Sequence, residues 1–379
     1  MSNQTFQFLK ELPTPLSNPP CVLYKDELLI CGGDRQRTCY SYHTIKNEYK
    51  FICEYPSNVK LAGHCVVKLV NNNNNEKNQI TLLSFGSYWP GENKHTLVMK
   101  YVSVWSNTIN ISNELNNYNQ WIPFTDNQNH PIIIGKDENH DYEGVRAVIG
   151  GSNNHLLFIT CWETNISVFD LNMFQFIKHD TLPIKYCIRY HCFISNSENV
   201  QGQGMMKTNK QHYQMLLFGF LAGLSIEYDE DNNSFEFHQL PLYDAISSFN
   251  CYAYICTNDI ILFFGGLFSD IFDHIISESV HKYSIKENKW ITFKNVLPIP
   301  SYYCVAILDE EDNDIHIIGG KDDSDTVVST YMKTKMREWD PSQLSKNEMK
   351  CIIQYLIRNL KIKIGWIDDF DKIIIKYSR

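Results

Sequence analysis

Six apolar runs along this chain end in Gly-Gly or a worn form of it, and four are followed by an aromatic pair with six residues between its members. The runs are Leu28 to Gly33, Ile80 to Gly86, His155 to Thr160, Met215 to Gly219, Ile260 to Gly266 and Ile315 to Gly320. The clearest is Ile260-Ile261-Leu262-Phe263-Phe264-Gly265-Gly266, with Tyr283 and Trp290 after it. A unit that recurs at long period is one supersecondary element, able to bury its faces only against its neighbours. Where that unit is a set of short antiparallel strands, radial stacking around an axis removes the exposed edges, which predicts a β-propeller. Propellers host enzymes and passive scaffolds alike, so function has to be argued from the site.

Each copy reads as four strands. Strand A is a short apolar run such as His64 to Val70 or Tyr302 to Leu308, and strand B is the run into the glycines. Strands C and D carry the aromatic pairs Tyr42/Tyr49, Phe169/Phe176, Tyr228/Phe235 and Tyr283/Trp290. Copy six offers Met332/Trp339 at the same spacing, and copy two is stretched from Tyr101 to Trp121. Facing aromatics on adjacent strands seal one blade against the next. The doubled glycine permits positive φ and close backbone approach. All of residues 1–340 is therefore read as an all-β propeller, with blades over 14–56, 61–124, 145–183, 188–241, 249–298 and 301–340. Thr5 to Pro13 resembles the strand D segments, so an N-terminal strand over 5–13 is expected to complete the last blade. Met336-Trp339 competes for that position, and a seventh blade hidden in 106–145 is the alternative to six.

These glycine and aromatic positions resemble the kelch motif family over roughly residues 6–340, a propeller family similar to the central domain of galactose oxidase. Copies three and four lack the glycine pair, having Thr160-Cys161 and Gly219-Phe220 instead, and are aligned by register and aromatics. Polar insertions at Asn71–Asn75, Asn107–Asn119, Asp126–Asp141 and Ser195–His212 lengthen the period and are read as hairpin tips.

After Asp340-Pro341 the period changes. Met349, Ile352, Ile353, Leu356, Ile357 and Leu360 fall on one face of a helix, with Ser345-x-x-Glu348 as its capping box. A second helix is expected from Trp366, which makes residues 342–379 a C-terminal αα-hairpin appendage. Its net charge of +4 leaves −13 on the rest of the chain. Two roles are expected for it: packing of the apolar face on the propeller rim, or docking to another chain.

Composition narrows the function. A net charge of −9 repels phosphate backbones, so nucleic acid is not the expected partner. No apolar run approaches the ~18–20 residues of a membrane helix, and the N-terminus carries no secretory pattern, so a cytoplasmic protein without membrane insertion is expected. The twelve cysteines form no Cys-x-x-Cys pair and mostly fall in strand-like runs, as small buried residues do. His64 and His191, each followed by a cysteine, invite a copper or zinc site on the channel; a structural histidine is the reading preferred here. Asp229-Glu230-Asp231 fails as a calcium loop because Ser234 stands where glycine is required and Leu240 where the glutamate is required. Neither a metal nor another cofactor is expected.

The face where B–C and D–A loops emerge, commonly used for recognition in kelch propellers, holds the candidate site residues. Arg35 and Arg37 follow the first glycine pair, Trp89 the second strand B, Trp162 the third, and Asp322 and Asp323 the sixth. Exposed Arg and Trp at loop tips are typical binding anchors. In the bland alternative, Arg35 or Arg37 is merely paired with Asp322, Asp323 or Asp325 across the seam between blades 6 and 1. The expectation is a non-catalytic interaction module that recognises a peptide or protein loop on this face. A sugar-processing or copper oxidase-like enzyme, and a structural module of a divergent repeat family, are the alternatives.

Overall fold

The computed structural model describes residues 5–70, 78–88, 92–106, 117–136, 140–195, 212–257, 259–269, 274–342 and 346–364. Its strands form six four-stranded antiparallel sheets, the blades of a propeller. Strands A to D are Cys21–Tyr24, Glu27–Gly33, Gln36–His43 and Glu48–Glu54 in blade 1, then Cys65–Leu69, Gln79–Tyr88, Glu92–Val102 and Ile122–Pro123 in blade 2. Blade 3 has Arg146–Gly150, Leu156–Cys161, Asn165–Asp170 and Gln175–Thr181, and blade 4 has Cys192–Ser195, His212–Gly219, Ala222–Asp229 and Ser234–Gln239. Blade 5 has Ala253–Cys256, Ile260–Phe264, Val280–Ser284 and Lys289–Thr292, with a small hairpin, Leu267–Ser269 and His274–Ile276, in its B–C connection.

Blade 6 closes the ring. Its strands A to C are Val305–Asp309, Asp314–Ile318 and Tyr331–Lys335, and its strand D is the N-terminal Gln7–Phe8. Gln7 lies opposite Lys333 and Phe8 opposite Met332. The competing segment does not become a strand: Met336–Glu338 makes a 3-10 turn. Trp339 follows it into the interior and packs on Phe6, Phe264 and Phe293.

The core is not one body but six seams. Separate apolar clusters join blade 1 to 2 around Tyr55 and Trp121, 2 to 3 around Phe85 and Leu157, and 3 to 4 around Phe158 and Tyr228. Others join 4 to 5 around Phe218 and Phe263, 5 to 6 around Phe264 and Trp339, and 6 to 1 around Tyr331 and Tyr42. The sixth seam returns to the first blade, so the count is six. The segments 117–136 and 140–145, where a seventh copy was sought, form no sheet of their own among the described residues.

The expected aromatic pairs are direct cross-strand partners in four blades: Tyr42 faces Tyr49, Phe169 faces Phe176, Tyr228 faces Phe235 and Tyr283 faces Trp290. Their ring centroids lie 4.8 to 5.2 Å apart. Copy two departs from the pattern, because Trp121 stacks instead on Tyr55 at 4.8 Å and donates its indole N–H to Cys39 Sγ. In blades 1, 4 and 5 the strand C tyrosine hydroxyl also locks the C–D turn. Tyr42, Tyr228 and Tyr283 each donate to the side chain of an asparagine five residues on, Asn47, Asn233 and Asn288. Each of these asparagines has positive φ, which asparagine tolerates better than most residues.

A helix over Lys346–Ile364 matches the expected period. Its apolar stripe is not packed on the propeller: Met349, Ile352, Ile353, Leu356 and Ile357 are 43 to 55% exposed. Ser345 and the second expected helix lie outside the described residues. No helix among the described residues is long and apolar enough to cross a membrane.

Candidate functional site

The D–A loops deliver the chain to the channel mouth by one repeated device. The residues Asn18, Gly63, Gly144, Tyr190, Cys251 and Tyr303, one per blade, all have left-handed φ, between 50° and 67°. Three of them are hydrogen-bonded to the same position one blade back: Tyr190 N–H to the Gly144 carbonyl, Tyr303 to Cys251, and Asn18 to Tyr303. Only two of the six are glycine. Holding tyrosine and cysteine there costs on the order of 1–3 kcal/mol each, a strain that concentrates at functional positions.

Tyr190 uses this backbone to lay its ring across the mouth. A methyl group on Gly63 would sit 2.2 Å from Tyr190 Cε1, and one on Gly144 would sit 3.0 Å from Cδ2, so both glycines give room to that ring. The Tyr190 and Tyr303 rings meet at 4.8 Å, and Tyr303 continues onto Tyr302 at 4.9 Å. The Tyr190 hydroxyl donates to Glu143 Oε1 at 2.7 Å, and the Tyr302 hydroxyl donates to Asp325. Burial pushes all three phenols above their ordinary pKa.

Charge gathers around these rings. Arg189 lies over the Trp162 ring at 5.1 Å and reaches Glu143 Oε1 at 3.7 Å. The Arg146 guanidinium stands 5.8 Å from the centre of the Tyr190 ring and donates to the Val145 carbonyl at 2.9 Å. Its positive field reaches cysteines of three other blades. It favours the thiolates of Cys65, Cys192 and Cys251, but burial outweighs it and raises these thiols, Cys65 to about 11. On the far side of the mouth Lys321 bonds Asp325 at 3.0 Å and lies over the Tyr302 ring.

The structure spreads the sequence-derived candidates unevenly. Arg35 is exposed at the tip of the first B–C turn. Arg37 is held by its own blade, donating to the Tyr55 carbonyl at 3.2 Å and facing Glu54 at 3.8 Å. The alternative that pairs these arginines with Asp322, Asp323 or Asp325 is not what is seen. Asp322 caps its own loop through the Ser324 and Thr326 N–H groups, and Asp325 is bound to Lys321 and Tyr302. Asp323 is exposed on that loop, and Trp162 lies at the mouth beneath Arg189. Trp89 lies outside the described residues. Glu143, Arg146, Arg189, Tyr190, Tyr302 and Tyr303 were missed. The signal available was the alignment of the D–A loops, where Arg189-Tyr190-His191-Cys192 matches Ala62-Gly63-His64-Cys65 with tyrosine in the glycine position.

The two strand A histidines turn away from the channel towards the preceding blade. His64 Nε2 meets the Cys31 carbonyl at 2.9 Å and His191 Nε2 meets Thr160 Oγ1 at 2.7 Å. Burial lowers both, His64 to about 3. All twelve cysteines are free thiols. Among the described residues, the side chains close enough to share a cation are Glu227, Glu236 and His238, half-buried to exposed on the outer strands of blade 4 and away from the mouth.

No family model matches the sequence, and no curated protein matches it. Among solved structures the chain is similar to one described as "Structure of YjhT", with a TM-score of 0.56 and 13% identity over 85% of this chain and 95% of that one. At that identity the likeness is one of fold.

Proposed function

We propose that this chain is a kelch-type binding module, without catalytic activity, that takes a peptide or protein loop on its B–C/D–A face. The observation that carries the reading is the channel mouth. Rigid aromatic rings there, Tyr190, Tyr302, Tyr303 and Trp162, alternate with Arg146, Arg189, Glu143 and Lys321 on a strained backbone ring. Aromatic and arginine anchors on a rigid scaffold are the residues that dominate protein recognition. The kelch assignment is supported by the glycine pairs of blades 1, 5 and 6 and by the facing aromatics.

One observation favours a sugar-processing enzyme as the second reading: Arg146, Arg189 and Glu143 converge on the mouth. Against it, most of the shifted groups there are moved away from neutrality, burial raising only the Asp34 carboxyl, near Lys321, towards it. The phenols are raised, Asp325 is lowered, and the neighbouring histidines are lowered. General acid–base chemistry is fastest with a group tuned near the working pH.

The test is a quantitative pull-down with full-length protein and folded variants of the two faces. Arg35→Glu and Trp162→Ala should remove the specific partners, while Lys46→Glu and Glu287→Lys at the opposite C–D turns should retain them. Partners indifferent to the loop-face changes but lost from a chain ending at Asp340 would overturn the reading in favour of the tail.

A further inference from the structure

The outer edge of blade 4 carries an arrangement that neither the seams nor the mouth explains. Ile226 and Tyr228 on strand C, and Phe235 and Phe237 on strand D, enter the seam with blade 3. Side chains alternate across a sheet, so Glu227, Glu236 and His238 share its other surface. Glu227 is the direct cross-strand partner of Glu236, and His238 lies two residues further along that strand, opposite Ser225. Glu227 is half-buried, while Glu236 and His238 are exposed. Each offers one donor atom, a carboxylate oxygen or an imidazole nitrogen, and the three donor atoms lie within 4.8 Å of one another.

Two features separate this trio from an ordinary solvated face. Like charges directly opposite each other on neighbouring strands are destabilising, yet among the described residues no lysine or arginine pairs with either glutamate. The histidine is also uncommitted. His179 and His281 each face a hydroxyl residue across the ladder and bond to it, His179 Nδ1 to Ser167 Oγ at 3.0 Å and His281 Nδ1 to Thr292 Oγ1 at 2.9 Å. His238 faces Ser225 and makes no such bond; the Ser225 hydroxyl accepts the Gln214 amide at 3.1 Å. An imidazole is thus left beside two carboxylates, with no other protein group engaging any of the three.

We propose that Glu227, Glu236 and His238 bind a zinc ion at the rim of blade 4, with water completing its coordination. The donor set selects the ion, because imidazole suits zinc whereas magnesium and calcium take oxygen ligands. Zinc is held by three protein ligands and a water in many open sites. Donors at about 2.0–2.2 Å in a tetrahedron stand about 3.4 Å apart, so these must close by no more than about 1.4 Å, a movement that rotation of exposed side chains supplies. The two carboxylates cancel the charge of the ion, and the ion removes their mutual repulsion. Bound there, zinc ties Ala222–Asp229 to Ser234–Gln239, the outermost strand of the blade, which has no neighbour beyond it. The site stands apart from the loop-face reading and does not depend on it.

The experiment titrates the full-length, chelator-treated chain with zinc alone in a calorimeter, and repeats it for His238→Ala, Glu236→Gln and a Cys187→Ser/Cys351→Ser chain that lacks the two exposed thiols. The expected result is one zinc per chain, weakened about tenfold or more in His238→Ala and in Glu236→Gln, a loss of at least 1.4 kcal/mol, and kept in the cysteine variant. Zinc should raise the melting temperature of wild type and leave those of His238→Ala and Glu236→Gln where they were, while the metal-free melts of all chains agree. Wild-type affinity in either site variant overturns the proposal, as does an absence of binding up to millimolar zinc. Zinc lost from the cysteine variant assigns the metal to thiols and overturns it too. Magnesium or calcium bound as tightly as zinc overturns the nitrogen ligand and leaves only an acidic patch.

Discussion

Gly63→Ala tests whether the mouth is built around Tyr190. Gly63 has φ +59°, and its added methyl would lie 2.2 Å from Tyr190 Cε1 and 2.8 Å from the Gly144 nitrogen. The left-handed backbone alone costs alanine about 1 kcal/mol. The backbone nitrogen cannot move far inside the D–A ring, so the tyrosine must swing away. It then surrenders its hydrogen bond to Glu143, leaving that carboxylate less satisfied, at about 1–3 kcal/mol. The ring contact with Tyr303 adds about 0.5–1.5 kcal/mol. The sum, about 2.5–5.5 kcal/mol, should appear as a lower urea midpoint with an unchanged slope. In a Tyr190→Ala background the same substitution meets no ring, so the ring terms of about 1.5–4.5 kcal/mol should vanish, while the left-handed backbone cost and the close approach to the Gly144 nitrogen remain. The coupling between the two sites is then the measured quantity. An equal cost in both backgrounds would refute the packing argument, since it would make Gly63 a purely backbone requirement.

Two further outcomes are expected. Acid should weaken the fold well above the carboxylate range. Burial holds His64 at about 3 and His95, His281 and His316 at about 4, so these rings stay neutral when folded but titrate near 6.5 when unfolded. Their contribution is fully present above 6.5 and is lost as pH falls towards 4, with about 2 kcal/mol per buried histidine gone by pH 5. Urea midpoints at pH 7, 6 and 5 measure this, and a flat profile would contradict it. Deleting residues 1–13 should expose the edge of Tyr331–Lys335, whose strand D is Gln7–Phe8. An unpaired edge templates association, so size-exclusion should show concentration-dependent oligomers; a stable monomer with unchanged melting would mean that closure does not depend on that strand.

The propeller was legible because its signals are local and repeated. The aromatic at one end of strand C and its partner on strand D recur in register whatever the rest of the blade does, and four such pairs set the alignment. Six blades was the preferred count and is what forms, but the seventh could not be dismissed from local pattern alone. The count depends on how Phe6, Leu12 and Leu16 fill the seam beneath Trp339 and beside Tyr42, a long-range choice with no periodicity. Copy two misled for a related reason: Trp121 has the residue type of a strand D aromatic, but the insertion before it lets it stack on Tyr55 of the neighbouring blade.

The mouth was hidden by the rule that made the fold visible. Glycine marks positive φ in a sequence when nothing else supports that backbone, as at Gly265, where a side chain would meet the Ser301 carbonyl. At the D–A position the fold itself imposes the left-handed turn, through hydrogen bonds passed from loop to loop, so the residue there is released from being glycine. Blade 2 keeps Gly63 because the Tyr190 ring covers it, and blade 3 keeps Gly144 because Arg189 Cβ and the backbone and ring of Tyr190 crowd it. Blades 4 and 6 use the same geometry to aim tyrosines at each other across the mouth. A position that is structurally constant and chemically variable is where a repeat fold can acquire function without loss of architecture. In this chain it sits beside Arg146, which makes no ion pair among the described residues.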